Sequence, residues 1–318
     1  DNEDIIDEKS FFLYNHEDLS WQKCFLKIFD EKLNQFNLKY KLDGKQYDIA
    51  IITALNEELE IAKEAISTNW NIFKRTNDSN IYYTTQLKND EGKQINIIAT
   101  HSPVMGMANA ACVSTKLLLN FKPKMIVMLG ICAGREKPIE LGHIIVADKV
   151  YDYQAGKIED KKDEKGKIIE TIFKPSFDEH PLDKDTLGII TSVKKEYTTQ
   201  ISEDWKKYNP HDPKTYNVPN VHIGPMGSGS AVIAKDEIFN ELSEHSRKII
   251  ALEMEAYSVF VAASIIDRNV KPLVIKGVQD LAGAKKDDEY RIYSIYTSAR
   301  FFYYLCINFF IEISNEDN

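Results

Sequence analysis

Two periodicities alternate along most of the chain. Short β-branched apolar runs of strand length are followed by stretches in which apolar residues recur at helical spacing. "YDIAIITAL" predicts a buried strand and "NEELEIAKEAI" a helix after it. "QINIIATHS" predicts a second strand and "GMANAACVSTKLLLNF" a second helix. "PKMIVMLGICAG" and "GHIIVADKVYDY" predict two further strands. "VHIGPMGSGSAVIAKDEIFNEL" reads as strand, glycine-rich turn and helix, and "KIIALEMEAYSVFVAASI" as strand into helix. "KPLVIKGVQDLAGA" is a last strand and loop, and "SIYTSARFFYYLCINFFIEI" a final helix. This alternation predicts an α/β fold with a largely parallel central sheet.

Two regions break the pattern. Residues 1–45 read as an N-terminal helical extension or linker. In it "DLSWQKCFLKIFDEKLNQF" puts Trp21, Phe25, Ile28, Phe29 and Leu33 on one face, to pack on the main domain or to dock a regulatory module. Residues 46–318 read as one catalytic domain. Within it, residues 151–219 form a charged insertion with too little apolar sequence for a core of its own, holding a solvated hairpin or loop at "IEDKKDEKGKIIE" and a surface helix further on.

Composition narrows the classes. A net charge of −9 over 318 residues argues against broad nucleic-acid binding. No apolar run is long enough to span a bilayer, so no membrane partner is expected. The four cysteines are scattered without a CxxC pair, which favours a reducing cytoplasm over disulfides or zinc. The histidines have no HExxH-like spacing; no metal and no cofactor are expected. "GSGS" is not GxGxxG, and no GxxxxGK[ST] loop is present, which leaves the dinucleotide and P-loop readings without support.

The chemistry lies in the acids. In parallel sheets ligands sit at the carboxyl ends of strands. That rule selects Glu57, Glu58, the Gly130–Gly134 turn, the Met226–Ser230 turn, Glu255 and Asp280. In "ALEMEAYSVF" two acids flank a methionine inside an apolar run. If the strand stops near Met254, Glu255 opens the following helix, where free amides and the dipole would keep it ionised and able to accept hydrogen bonds from a diol. Asp280, just past a buried strand, would be a desolvated proton donor or an Asx-type turn.

The order of "IAIITALNEELE", "IVMLGICAG…LGHIIVAD", "SGSAVIAK", "IALEMEAYSVFVAA" and "PLVIKGVQDLA" resembles the superfamily of nucleoside phosphorylases and methylthioadenosine/S-adenosylhomocysteine nucleosidases. The resemblance implies a twisted mixed central sheet flanked by helices. It further implies a homodimer or higher homo-oligomer, and a purine nucleoside or nucleotide as substrate. Carried over, Asp280 protonates the purine at N7, Glu58 activates water, Met254 packs on the ribose, Glu255 holds its hydroxyls and Met226 lies near the base. Gly130, Ile131 and Cys132 form the "GICAG" wall. The phosphorylases' phosphate-binding arginine is Met128 here and their serine or threonine is Ile131, so hydrolysis is favoured; Arg135 keeps phosphorolysis open. Lys276 stands where the nucleosidases carry an arginine, and Gln279 where they carry a serine. Glu253 would point away or brace the strand.

"GICAG", "HIGPMGSGSAV", "LEMEAYSV" and "DEYRIYSIYTSARFF" most resemble a branch fused to regulatory domains, some of whose members cleave ATP or dATP to adenine and a sugar triphosphate in antiphage defence. Arg135, Lys137, Lys157, Lys174, Lys235, Arg291 and Arg300 are candidates for contacts with such a triphosphate. Methylthioadenosine cleavage, phosphorolysis and a silent nucleotide sensor are the alternatives.

Overall fold

A computed structural model describes residues 47–212, 214, 216–232, 238–243, 246–282 and 288–311. The chain divides into two compact units, Asp1–Lys45 and Gln46–Asn318. The predicted N-terminal helix lies outside the described residues.

Strand β1 (Ile49–Thr53) is buried at every position, as expected of a central strand covered on both faces. It pairs in parallel with β4 (Gln94–His101) and β5 (Met125–Gly134). On its far edge β5 pairs in parallel with β12 (Lys271–Asp280), which runs antiparallel to β6 (Ile144–Asp152). The two-residue β9 (His180–Pro181) pairs antiparallel with β6, and β10 (Val221–Ser228) lies parallel to β6 and to the short β11 (Ala251–Glu253). Ala251 and Leu252 of β11 also pair antiparallel with Gly134 and Ala133, closing β11, β10, β6, β12 and β5 into a ring. The sheet is therefore mixed and partly barrel-like.

Two antiparallel strands absent from the sequence reading, β2 (Asn71–Lys74) and β3 (Ile81–Lys88), extend the open edge beyond β4. The predicted turn at Gly130–Gly134 is instead the end of β5, held straight by β11 and β12. Met226 to Ser228 likewise continue β10.

Helix α1 (Asn56–Ile66) follows β1, and α2 (Met107–Phe121) follows β4. The short helix α5 (Ile238–Ser243) precedes β11, α6 (Ala256–Ile266) follows it, and α7 (Arg291–Asn308) is the last long helix described. Among the described residues no helix is long and apolar enough to cross a membrane.

The region read as a charged insertion has two parts. A hairpin of β7 (Gly156–Lys162) and β8 (Ile168–Pro175) is exposed along most of its length. Helices α3 (Lys184–Val193) and α4 (Thr198–Tyr208) instead supply core. Trp205 on α4 is buried among Tyr208, Tyr216, Tyr293 and Tyr296, and Asp204 accepts from Arg300 and Tyr304 on α7. The segment cannot build a core alone because its apolar residues pack on α7.

Candidate active site

A cavity of about 340 Å³ opens where β1, β5, β11 and β12 end, and Glu58, Glu255 and Asp280 line it together. Ile131, Cys132, Met254 and Glu253 are also on its wall.

Glu58 arrives on the first turn of α1 and is 1% exposed. Its Oε2 accepts from the amides of Ala54 and Leu55 at 2.9 and 3.0 Å, and its Oε1 from the amide of Ile131 at 3.1 Å. Burial pushes its carboxyl above the ordinary value, against the pull of Lys276 and those three amides. Gly130 makes this packing possible. A Cβ there would stand 2.4 Å from Glu58 Oε1, and the residue's φ of +140° suits only glycine.

The two acids of "EMEA" take different tasks. β11 stops at Glu253, and Glu255 becomes the N-cap residue of α6. The amides at the start of α6 are taken by Glu253, whose Oε2 accepts from Glu255 N at 2.9 Å and Ala256 N at 2.8 Å. Ser228 Oγ donates to Glu253 Oε1 and accepts from Tyr257 N. Lys276 Nζ stands 3.7 Å from Glu253 Oε2. Glu253 thus braces the strand–helix junction.

Glu255 is left to point into the cavity, where Oε1 accepts from Gly106 N at 2.7 Å. Gly106 reaches it at a φ of +109° as the N-cap of α2. The expectation that helix amides hold Glu255 ionised is corrected, because Glu253 occupies them. Burial first, and the neighbouring Glu253 second, push the Glu255 carboxyl up to about 7, against Lys276 and the Gly106 amide.

Asp280 closes β12, and its Oδ1 accepts from Ala282 N at 2.8 Å, an Asx turn that fixes the carboxyl beside Gln279 at the cavity wall.

Four other predicted positions fall elsewhere. Gly130 contributes through the side chain it lacks. Met226 is fully buried in β10 and is absent from the cavity lining, because β10 continues past it in register with β11. Lys276 neither lines the cavity nor reaches the surface. It is 1% exposed behind the wall, and the carboxylates of Glu253, Glu58 and Glu255 hold its ammonium above its ordinary value although burial works to lower it. Arg135 lines a separate depression with Lys137, Asp148 and Lys248. Of the remaining cations, Lys157 and Lys174 pair with Glu159 on the exposed hairpin, and Arg300 bonds Asp204 and Ala65 O. Lys235 lies outside the described residues.

The cavity also contains residues the sequence reading passed over: Leu55, Met105, Tyr153 and Leu252. Tyr153 is 6% exposed and its buried hydroxyl has no hydrogen-bond partner among the described residues. Its position two residues beyond the apolar core of β6, at a strand's carboxyl end, was the available signal.

A family model described as the phosphorylase superfamily matches residues 48–304. Among curated proteins, the chain is 28% identical over 284 residues to the uncharacterized protein y4jS of Sinorhizobium fredii, covering 85% of this chain and 66% of that one. It is 26% identical over 250 residues to the ATP nucleosidase Cap17 of Escherichia coli, covering 76% of this chain and 47% of that one. The chain thus spans between about half and two thirds of the length of these relatives. Among solved structures, the 5′-methylthioadenosine/S-adenosylhomocysteine nucleosidase of S. pneumoniae with a transition-state inhibitor superposes with a TM-score of 0.59 at 19% identity, covering 83% of this chain and 98% of that one.

Proposed function

Because the chain belongs to the phosphorylase superfamily, we propose that this cavity hydrolyses the N-glycosidic bond of an adenine nucleoside or nucleotide, with ATP or dATP as the leading substrates. The observation that carries the proposal is the meeting of Glu58, Glu255 and Asp280, far apart in sequence, on one cavity wall.

The chemistry follows from what the bond requires. As the C1′–N9 bond breaks, its electron pair goes to the purine, and Asp280 delivers a proton to N7 so that the base leaves neutral. The sugar passes through an oxocarbenium-like state, which the Glu255 carboxylate stabilises while accepting hydrogen bonds from the ribose hydroxyls. Water forms the new C1′–O bond and gives its proton to Glu58, whose raised pKa suits a base. Solvent returns the proton balance, Asp280 having lost one and Glu58 gained one.

Water is favoured over phosphate as nucleophile. Phosphate beside C1′ needs cations. Met128 is fully buried at the position of the phosphorylases' arginine, and Arg291 is the only Lys or Arg on the cavity wall among the described residues. The relative named ATP nucleosidase supports the nucleotide reading; the proposal extends it to a nucleotide-depleting antiphage effector acting in the cytoplasm. A homodimer or higher assembly, with a regulatory partner acting through the N-terminal segment, completes the proposal. The test is adenine release from ATP, dATP, AMP, adenosine and methylthioadenosine, each with and without phosphate. Adenine from ATP without phosphate is expected. Turnover of methylthioadenosine alone, or dependence on phosphate, would replace this reading.

A further inference from the structure

The cavity wall is acidic. Among the described residues, Glu58, Glu253, Glu255 and Asp280 line it against one cation, Arg291. Its volume of about 340 Å³ is at the low end for small-molecule sites. Phosphates drawn into such a space would meet carboxylates, so a nucleotide must hold its phosphates at the opening, where solvent and positive charge are available.

Arg291 lines the cavity, and its side chain keeps 23% of its accessibility to solvent. It begins α7, whose positive dipole end disfavours a cation, so neither helix propensity nor capping explains it. Its Nε donates to Glu57 Oε2 at 2.7 Å, and its NH1 to Gln279 Oε1 at 3.3 Å. Both charged partners are partly exposed, with side chains 23% and 49% accessible for Arg291 and Glu57, whereas Glu58 and Lys276 behind them are 1% exposed. The pair therefore ties the first turn of α1 to the first turn of α7 beside the cavity. Gln279, next to Asp280, connects it to the chemistry. A guanidinium has five N–H donors in a planar fork that matches phosphate oxygens bidentately. Among the described residues, only the two just named are committed to side chains.

Resting on the hydrolytic reading of this cavity, we propose that the Glu57–Arg291 pair is a latch that selects the 5′ group: the Arg291 guanidinium exchanges Glu57 for a 5′-phosphate, favouring phosphorylated over unphosphorylated nucleosides. Glu57 is the internal competitor. It neutralises the arginine in the free protein and sets how much a phosphate must contribute to displace it.

The test compares AMP with adenosine, which share base and sugar, by adenine release and by calorimetric binding. Arg291→Ala lowers the AMP-to-adenosine preference, in kcat/KM and in Kd, about 10–100-fold, the range of charge-assisted hydrogen bonds. Arg291→Lys keeps the charge without the fork and retains part of the preference. Glu57→Gln removes the competitor and raises the preference. An unchanged preference in Arg291→Ala overturns the proposal. So does a Glu57→Gln variant that lowers the preference in step with Arg291→Ala, since the pair would then only hold two helices together. Arg291-dependent preference in binding without adenine release from either compound keeps the latch and removes the hydrolytic reading beneath it.

Discussion

Replacing Glu255 by Gln should make the protein more stable and less active at once. The carboxyl titrates at about 7 in the folded state, against an ordinary value of 4.5. Each pKa unit corresponds to about 1.4 kcal/mol, so holding this group ionised in the folded state costs up to about 3 kcal/mol. The sign follows from proton binding. Below about pH 4.5 both states carry the proton and Glu255 contributes nothing. Between 4.5 and 7 the folded state keeps a proton the unfolded chain has released, so stability falls as pH rises; above 7 the full cost remains. Gln keeps the shape and the acceptor for Gly106 N–H while removing the charge. Thermal unfolding at pH 8 should therefore show the variant melting higher, by up to about 6–12 °C for a domain of this size, with the gain vanishing near pH 4.5. The same variant should bind ribose hydroxyls poorly and turn over slowly. A Glu255→Gln protein no more stable than the parent at pH 8, or shifted equally at both pH values, would refute the reasoning, because the charge would then carry no folding cost.

Asp280→Asn removes the proton donor but preserves the Asx turn to Ala282; turnover should fall about 10²–10⁴-fold while calorimetric binding of the nucleotide changes only a few-fold. Lys276→Met strips the buried counter-charge from Glu253, Glu58 and Glu255 and should cost about 3–5 kcal/mol in urea unfolding at pH 8, with a smaller loss near pH 5 as Glu58 and Glu255 take up protons. Equal losses at both pH values would show that Lys276 acts by packing alone. Tyr153→Phe removes a buried hydroxyl that lacks a partner among the described residues and should stabilise the free protein by about 1 kcal/mol while raising KM, because that hydroxyl is then missing from the substrate's contacts; unchanged KM would take Tyr153 out of the site.

Much of the architecture was written locally. β1, α1, α2 and β12 announce themselves because each is a single unbroken period with a clear end. β2 and β3 were passed over because an edge strand buries one face at most: Asn71–Lys74 is mostly exposed, and its pairing with β3 is a long-range fact. The end of β5 is not legible locally for a related reason. Small residues at Gly130–Gly134 suggest a turn in isolation, yet β11 reaches back across the sheet to pair with Gly134 and Ala133. Ring closure is not a property of any one segment. Arg135 and Arg291 show the same limit for charge. Both are arginines named from sequence as candidates for phosphate contacts, and only the path of β5 past Gly134 and the start of α7 decide that one leaves the cavity and the other lines it.

Glu253 and Glu255 show how two identical side chains, two positions apart, come to have opposite energetics. Glu253 is satisfied from every side: two helix amides, the Ser228 hydroxyl and the Lys276 ammonium. Its charge is the means by which the strand ends and the helix begins, and mutation there should first be felt as lost stability. Because Glu253 has absorbed the helix amides, Glu255 has one donor among the described residues, the Gly106 N–H, and is held at a pKa where its charge is costly to the fold. A ligand that supplies the missing donors recovers that cost on binding, and the recovery grows as positive charge develops on the sugar. The stability lost to an unsatisfied carboxylate is thus the driving force available to the reaction, and it exists only because the neighbouring carboxylate is satisfied first.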